Sequence, residues 1–411
     1  MTSSPPSSAS HGHAGFRALR QMHARRRDEP HRSATPLELF FDLCFVVAVG
    51  QAGVQLVHAI AENHIAEGVV GYLYVFFGIW WAWMNFTWFA SAYDCDDVPY
   101  RIATMLQICG VLIYAAGVPR AFADNDWTIS VIGYVVMRIA LTAQWLRAAA
   151  SEGRGPARRT ALVYASGLVL CQLGWIALLF APAGSRRWLF LVLVVAELLV
   201  PVIAERHHQT TWHPRHISER YGLFTIIVLG ETMFATTVAV QSALSDAEEF
   251  SELALITAGG ILIIFSAWWI YFAVPAHQRL RSNRESLPWG YGHYLIFASA
   301  AAIGAGLEVA VEQSVGKAPI PTLTASAAVT VPVAIYLGTV WLLHARHFKA
   351  TTAQQLVLPV AVPVVLLCTF AGRFAVLAAG LVTAATVALG VFMASRGAGE
   401  ARAPGARPPA V

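Results

Sequence analysis

Apolar residues fall along the chain in runs of about twenty, separated by short polar stretches rich in Pro, Gly and charge. A helix rising about 1.5 Å per residue needs that length to cross roughly 30 Å of hydrocarbon. Open β-structure is no substitute, because lipid offers no partner to unpaired backbone groups. The pattern predicts an all-α, polytopic membrane protein of about twelve transmembrane helices, at 39–61, 68–90, 99–120, 127–148, 160–180, 187–204, 218–241, 251–273, 291–312, 323–344, 354–371 and 374–395. Pro359, Pro363 and Arg373 interrupt the last two, so a single re-entrant segment is the alternative to one crossing. Spans seven to nine laid under spans one to three suggest a duplication: FVVAVGQ (45–51) matches TIIVLGE (225–231), AWMNF (82–86) lies near AWWIYF (267–272), and VPYR (98–101) near LPWGYGH (287–293). Six spans separate the copies, which predicts two parallel six-helix repeats. The other explanation is that any two membrane helices share aromatic and Gly-rich patches.

Polar segments divide the chain into a disordered basic cytosolic arm (1–34), a first half (35–204), a His-rich cytosolic linker (205–217), a second half (218–395) and a disordered tail (396–411). The arm is Ser, Pro, His and Arg, without the apolar stretch of a secretory signal. With the N-terminus inside, 22 of the 28 Lys and Arg lie on the inner side and five outside, with Arg138 inside the fourth span. That bias predicts both termini in the cytoplasm. Acidic residues such as Glu62, Glu67, Asp246, Glu248 and Glu249 then fall outside.

Composition agrees: 57% of residues are hydrophobic and 13% charged, and the mean hydropathy is +0.56. The basic residues suit an anionic membrane surface better than a nucleic-acid partner. Cys44, Cys95, Cys109, Cys171 and Cys368 match neither a disulfide framework nor a zinc site.

Ionisable groups at bilayer depth cost about 2.5–3.5 kcal/mol each on insertion scales, so those retained need partners or a wet interior. Arg138, Glu197 and Glu231 lie near mid-membrane, and the simplest pairing sets Arg138 against Glu197 or Glu231. Glu38 and Asp42 stand in the first turns of span one, four residues apart on one face, with Arg101 and Arg220 at matching depth. They read either as a helix cap favoured by the dipole and locked by Arg101, or as a cation or proton entry point. Gln51, Gln55 and His58 continue a polar stripe along span one, which is either interhelical glue or the lining of a path. Glu308, Glu312 and His293 repeat that pattern more faintly in span nine.

His207, His208, His213 and His216 could hold zinc, but without a fixed geometry they read as a solvated basic loop. The HGH at 11–13 reads as inert. The aromatic run WWAWMNFTWF (80–89) reads as bulky packing, with an aromatic wall against a substrate as the alternative. P-loop, dinucleotide, zincin and nucleophile-elbow motifs are absent from the sequence, and no cofactor or metal is expected.

The stretches PLELFFDLCFVVAVGQ (36–51) and ERYGLFTIIVLGETM (219–233), supported by GHYLIFASAAAIGAGLEVAVE (292–312), resemble the bacterial low temperature requirement A family. The resemblance extends over residues 35 to 395. It carries over Glu38, Phe40, Phe41 and Asp42 in the first motif and Glu219, Gly222, Gly230 and Glu231 in the second, while Cys44 and Gly50 depart mildly from the pattern. It implies the bacterial cytoplasmic membrane and a link to growth in the cold, without a biochemical activity. Phe40-Phe41-Asp42 is also faintly similar to the F-S-D motif of a potassium-channel family, but Pro36 replaces its Arg and the second half lacks a counterpart.

The leading expectation is a secondary transporter or channel-like permease for a small solute or ion. Arg138, Glu197 and Glu231 would form its mid-membrane charged cluster, with Glu38, Asp42, Arg101, Glu219 and Arg220 at the cytoplasmic mouth. A non-transporting scaffold or sensor comes second, and an intramembrane enzyme using Glu38 and Asp42 third. The lipid bilayer is the expected partner, and the oligomeric state is left open.

Overall fold

A computed structural model describes residues 19–27, 29, 32–206, 208–244, 250–349 and 351–401, with side chains as far as Arg396. The regular structure among them is helical throughout, in the order α1 (Pro36–Ala61), α2 (Ile65–Tyr93), α3 (Val98–Ala123), α4 (Thr128–Ser151), α5 (Pro156–Leu179), α6 (Ala183–Ala204), α7 (Pro214–Leu244), α8 (Phe250–Phe272), α9 (Asn283–Ser314), α10 (Thr322–Leu343), α11 (Thr352–Cys368) and α12 (Ala375–Ala401). Eleven helical stretches among the described residues are long and apolar enough to cross a membrane. The last is a 45-residue stretch, Thr352–Arg396, that contains both α11 and α12. A 3-10 turn joins the two, and Gly372 within it takes φ 58° and ψ −134°, a region open in practice to glycine alone. The chain reverses there, so that Gln354 Nε2 near the start of α11 donates to Met393 O near the end of α12.

Local chemistry sets the helix starts. Thr35 and Glu38 form a reciprocal capping box ahead of α1, with Pro36 in the first turn. Asp97 caps α3 by accepting from the Tyr100 N–H, and Thr351 caps α11 by accepting from that of Gln354. Prolines inside helices, such as Pro201 and Pro332, are tolerated because neighbouring helices and side chains compensate the freed backbone groups. Helix α9 lies at the centre, packed on α1, α2, α7, α8 and α10. Small residues allow the closest crossings: a Cβ added at Gly133 of α4 would lie 2.3 Å from Tyr114 N of α3. Large apolar side chains such as Ile102, Leu170, Phe234 and Leu367 point outward, as lipid requires.

Two expectations change. The basic arm is held against the bundle where it is described: Met22 is fully buried, its N–H reaches Ser151 Oγ at 3.0 Å, and the Ala24 N–H reaches Glu152 at 3.1 Å. Residues 1–18, including the HGH motif, lie outside the described residues, as do His207, Asp246, Glu248 and Glu249. Second, α7 begins at Pro214 rather than 218. That draws His216, assigned to a solvated loop, into a helix where it is fully buried, and His213 is buried beside it.

Candidate functional site

Helices α1 and α7 run side by side in the same direction, and their matched positions build a buried ionic hub. His216 Nε2 lies 3.1 Å from Glu38 Oε1. One turn further, Arg220 donates to Asp42 through both Nε and Nη2. The Arg220 Nη1 also stands 3.2 Å from Glu38 Oε1, and all four side chains are at 0% exposure. Trp83 Nε1 of α2 donates to Asp42 Oδ1 at 2.6 Å. The second oxygen of Glu38 accepts from the Thr35 N–H at 2.7 Å. The capping role expected for Glu38 is therefore present together with the ion pairs.

The cation expected beside Glu38 and Asp42 was Arg101, and the structure corrects this. Arg101 is half exposed at the start of α3 and pairs with Asp96 at 2.8 Å, because its place on the helix turns it away from α1. Arg32, from the segment before α1, takes that position. Its Nη2 lies 3.3 Å from both Glu38 Oε1 and Asp94 Oδ2 and also donates to Ala90 O. Arg25 stands 3.8 Å from Asp94. Arg25 also pairs with Glu29 at 2.5 Å, so four carboxylates, Glu29, Glu38, Asp42 and Asp94, face the guanidinium groups of Arg25, Arg32 and Arg220 and the His216 ring. Glu219 lies outside the hub, exposed, accepting from the Ala34 N–H at 3.3 Å.

At the edge of the hub, beyond the end of α2, burial pushes the Asp94 carboxyl up to about 6, with Glu38 adding to the push and Arg32 and Arg25 opposing it. The neighbouring Asp97 behaves oppositely. Burial pushes it up as well, but the Arg147 guanidinium and the backbone N–H groups of Arg20 and Tyr100 hold it down to about 2.

Arg138 and Glu197 meet in a second buried cluster. Their closest atoms are 3.8 Å apart, with both side chains at 1% exposure. Glu197 accepts from Trp81 Nε1 at 2.8 Å, Tyr134 Oη at 3.0 Å, Trp175 Nε1 at 3.1 Å and Gln172 Nε2 at 3.5 Å, so α2, α4 and α5 converge on α6. Arg138 donates to Tyr134 Oη and lies over that ring, while its Nε and Nη1 find no hydrogen-bond acceptor.

Glu231 does not join them. Arg138 sits on α4, which packs on α2, α3 and α5, whereas α7 packs on α1, α2, α8 and α9. Glu231 instead reaches α1: a Cβ added at Gly50 would lie 2.5 Å from its Oε1. It is half-buried and has no ion pair or hydrogen bond among the described residues. On the same helix Gln51 and Gln55 are half-buried and His58 is exposed, so the polar stripe lies along the edge of α1 rather than in its packed face.

Within α9, His293 is fully buried. Its Nδ1–H donates to Trp289 O at 2.7 Å and its Nε2 lies 3.1 Å from Tyr271 Oη. Trp80, Trp81 and Trp83 are core side chains. The gap beside Trp81, Trp88 and Trp145 has about 20 Å³, room for about one water. The aromatic run therefore packs the interior.

Long apolar helices that bury compensated charges and turn aliphatic side chains outward define a polytopic helical membrane protein. A family model described as bacterial low temperature requirement A protein (LtrA) matches residues 33–395. The chain belongs to that family. It is also 27% identical over 299 residues to an uncharacterized protein of Rhizobium meliloti (strain 1021), with 70% of each chain covered. The family model starts just after Arg32 and includes every hub member except Arg25, Glu29 and Arg32.

Proposed function

We propose that this chain is a permease for a small ion or solute, with its path along the seam between α1 and α7. The observation that carries the reading is Glu231: a carboxylate within a membrane span, seated at Gly50, half-buried and without a partner among the described residues. A group left in that condition suits exchange of a proton or cation better than a structural role. Toward the start of both helices the seam is closed by the Asp42–Arg220 and Glu38–Arg32 pairs, which we read as the cytoplasmic gate.

In this reading the chain crosses the bilayer twelve times as two parallel six-helix halves, with both termini in the cytoplasm of a bacterial cell. The parallel course of α1 and α7 supports it, since two parallel spans need an odd number of crossings between them, here the five of α2 to α6. Neighbour order supports it as well. The packing pairs α1–α3, α3–α4, α4–α5 and α5–α6 recur six helices later as α7–α9, α9–α10, α10–α11 and α11–α12.

The test is flux in reconstituted vesicles loaded with a pH- or potential-sensitive dye. Glu231→Gln should abolish flux while leaving the fold intact, and undiminished flux in that variant would sink the role of Glu231. Gly50→Ala, which crowds Oε1, should slow flux in the wild-type background and add nothing to Glu231→Gln.

A scaffold without transport activity is the second reading, favoured by the dense donor set around Glu197. It predicts no flux in the wild type and a large loss of stability in Arg138→Met. An intramembrane enzyme would need a wet carboxylate pair, whereas Glu38 and Asp42 are dry.

A further inference from the structure

At the end of the bundle where α9 begins, a cavity of about 520 Å³ opens between the segment that follows α8, the start of α9 and the end of α10. Its polar lining is dominated by Arg279, Arg284, Arg346 and His347, with Glu285 the acidic member. Nothing in the hub or along the α1–α7 seam touches it.

The three arginines there lack direct ion pairs among the described residues, and Glu285 acts on Arg279 only from beyond contact. Glu285 is engaged elsewhere, its Oε2 accepting from the Arg281 N–H at 3.2 Å, and Arg346 Nε donates to the His347 ring instead. Clustered guanidinium groups repel one another, and an arrangement of this kind is stabilised by an anion placed between them.

A further feature lies in the same place. Ser282, the N-cap of α9, makes no side-chain cap bond, so the open amides and positive dipole end of a 32-residue helix lie beside the cavity.

We propose that this cavity binds a phosphate group, as a lipid phosphodiester or a free phosphate. Planar guanidinium forks match phosphate oxygens two at a time, and the helix amides supply further donors. The site lies where α8, α9 and α10 reach the end of the bundle, a position open both to headgroups of the adjacent leaflet and to the aqueous phase.

The experiment uses the full chain purified in a neutral detergent. Retention of phosphatidylglycerol against phosphatidylcholine is read by native mass spectrometry, and binding of inorganic phosphate by calorimetry. The variants are the double substitution R279Q/R346Q and, separately, R284Q. Preferential retention of phosphatidylglycerol, reduced at least tenfold in R279Q/R346Q and not competed by inorganic phosphate, assigns the site to a lipid headgroup. Saturable binding of inorganic phosphate with the same tenfold loss assigns it to the free anion. Arg284 is an exposed member of the lining, so R284Q removes one guanidinium without touching the core. It should weaken whichever ligand binds several-fold and leave the melting temperature of the unliganded protein unchanged, which keeps the test intact if the double variant does not fold. Equal retention of both lipids with no phosphate binding, or affinities unaltered by R284Q and by any double variant that folds, would overturn the proposal. Each readout is independent of whether the chain transports.

Discussion

Arg220 touches Asp42 through two nitrogens and approaches Glu38 through the third, at 0% exposure. Such a site tolerates removal of a whole pair far better than removal of one partner, because a lone buried charge keeps its desolvation cost without its attraction. Arg220→Met is expected to destabilise the protein by about 3–5 kcal/mol, read as a fall in melting temperature in detergent. The triple variant E38Q/D42N/R220M should recover much of that loss. A triple variant no better than the single one would show that the arginine contributes through packing rather than charge. Asp94 gives a pH signature. Its folded value of about 6 lies above the ordinary 3.8, so the folded chain holds that proton more tightly and the group's contribution to stability falls as pH rises through the window between those values. The melting temperature of Asp94→Asn relative to wild type should therefore be higher at pH 7.5 than at pH 5, and an equal difference at both would exclude Asp94 as the source. Asp97, held down to about 2, has the opposite sign: its stabilisation is complete above the ordinary value and is lost as pH falls toward 2. Sequence reading located Glu38, Asp42, Arg138 and Glu197 by depth alone and included Arg220 among the candidate cations. It did not see Arg32, which precedes any span, nor His216, whose position one turn before Arg220 was the available signal.

At the level of single helices, hydropathy placed nearly every rod to within a few residues, since lipid imposes one length and one backbone solution. What it resolved poorly was the end of the chain. There Gly372 reverses the path with a backbone conformation that no other residue adopts comfortably, and a window average of hydropathy carries no record of φ. Gly372→Ala is expected to cost about 1–3 kcal/mol and to loosen α11 against α12, measured as faster hydrogen exchange in 352–368. Unchanged exchange would mean that the turn accommodates a Cβ. The early start of α7 has a similar cause. Pro214 is well placed in a first helical turn, but charge and histidine content made the segment resemble a loop.

Across the whole molecule, the pairing of Arg138 depended on which helices become neighbours, and no residue count along one chain supplies that. Glu231 and Glu197 stand at comparable depth, yet α7 packs on α1 while α6 closes the cluster with α2, α4 and α5. The hub also binds the assembly in time. Asp42 and Arg220 are separated by 178 residues, so during synthesis α1 enters the bilayer long before its principal counter-charge exists. Arg32, six residues from Glu38, is the only hub guanidinium besides that of Arg25 already made at that moment, and it serves Glu38 rather than Asp42. The first helix must therefore wait, protonated at Asp42 or held by the insertion machinery, until α7 arrives. A nascent chain arrested before residue 214 should show α1 accessible to aqueous thiol reagents at an engineered cysteine, and one arrested after residue 250 should not.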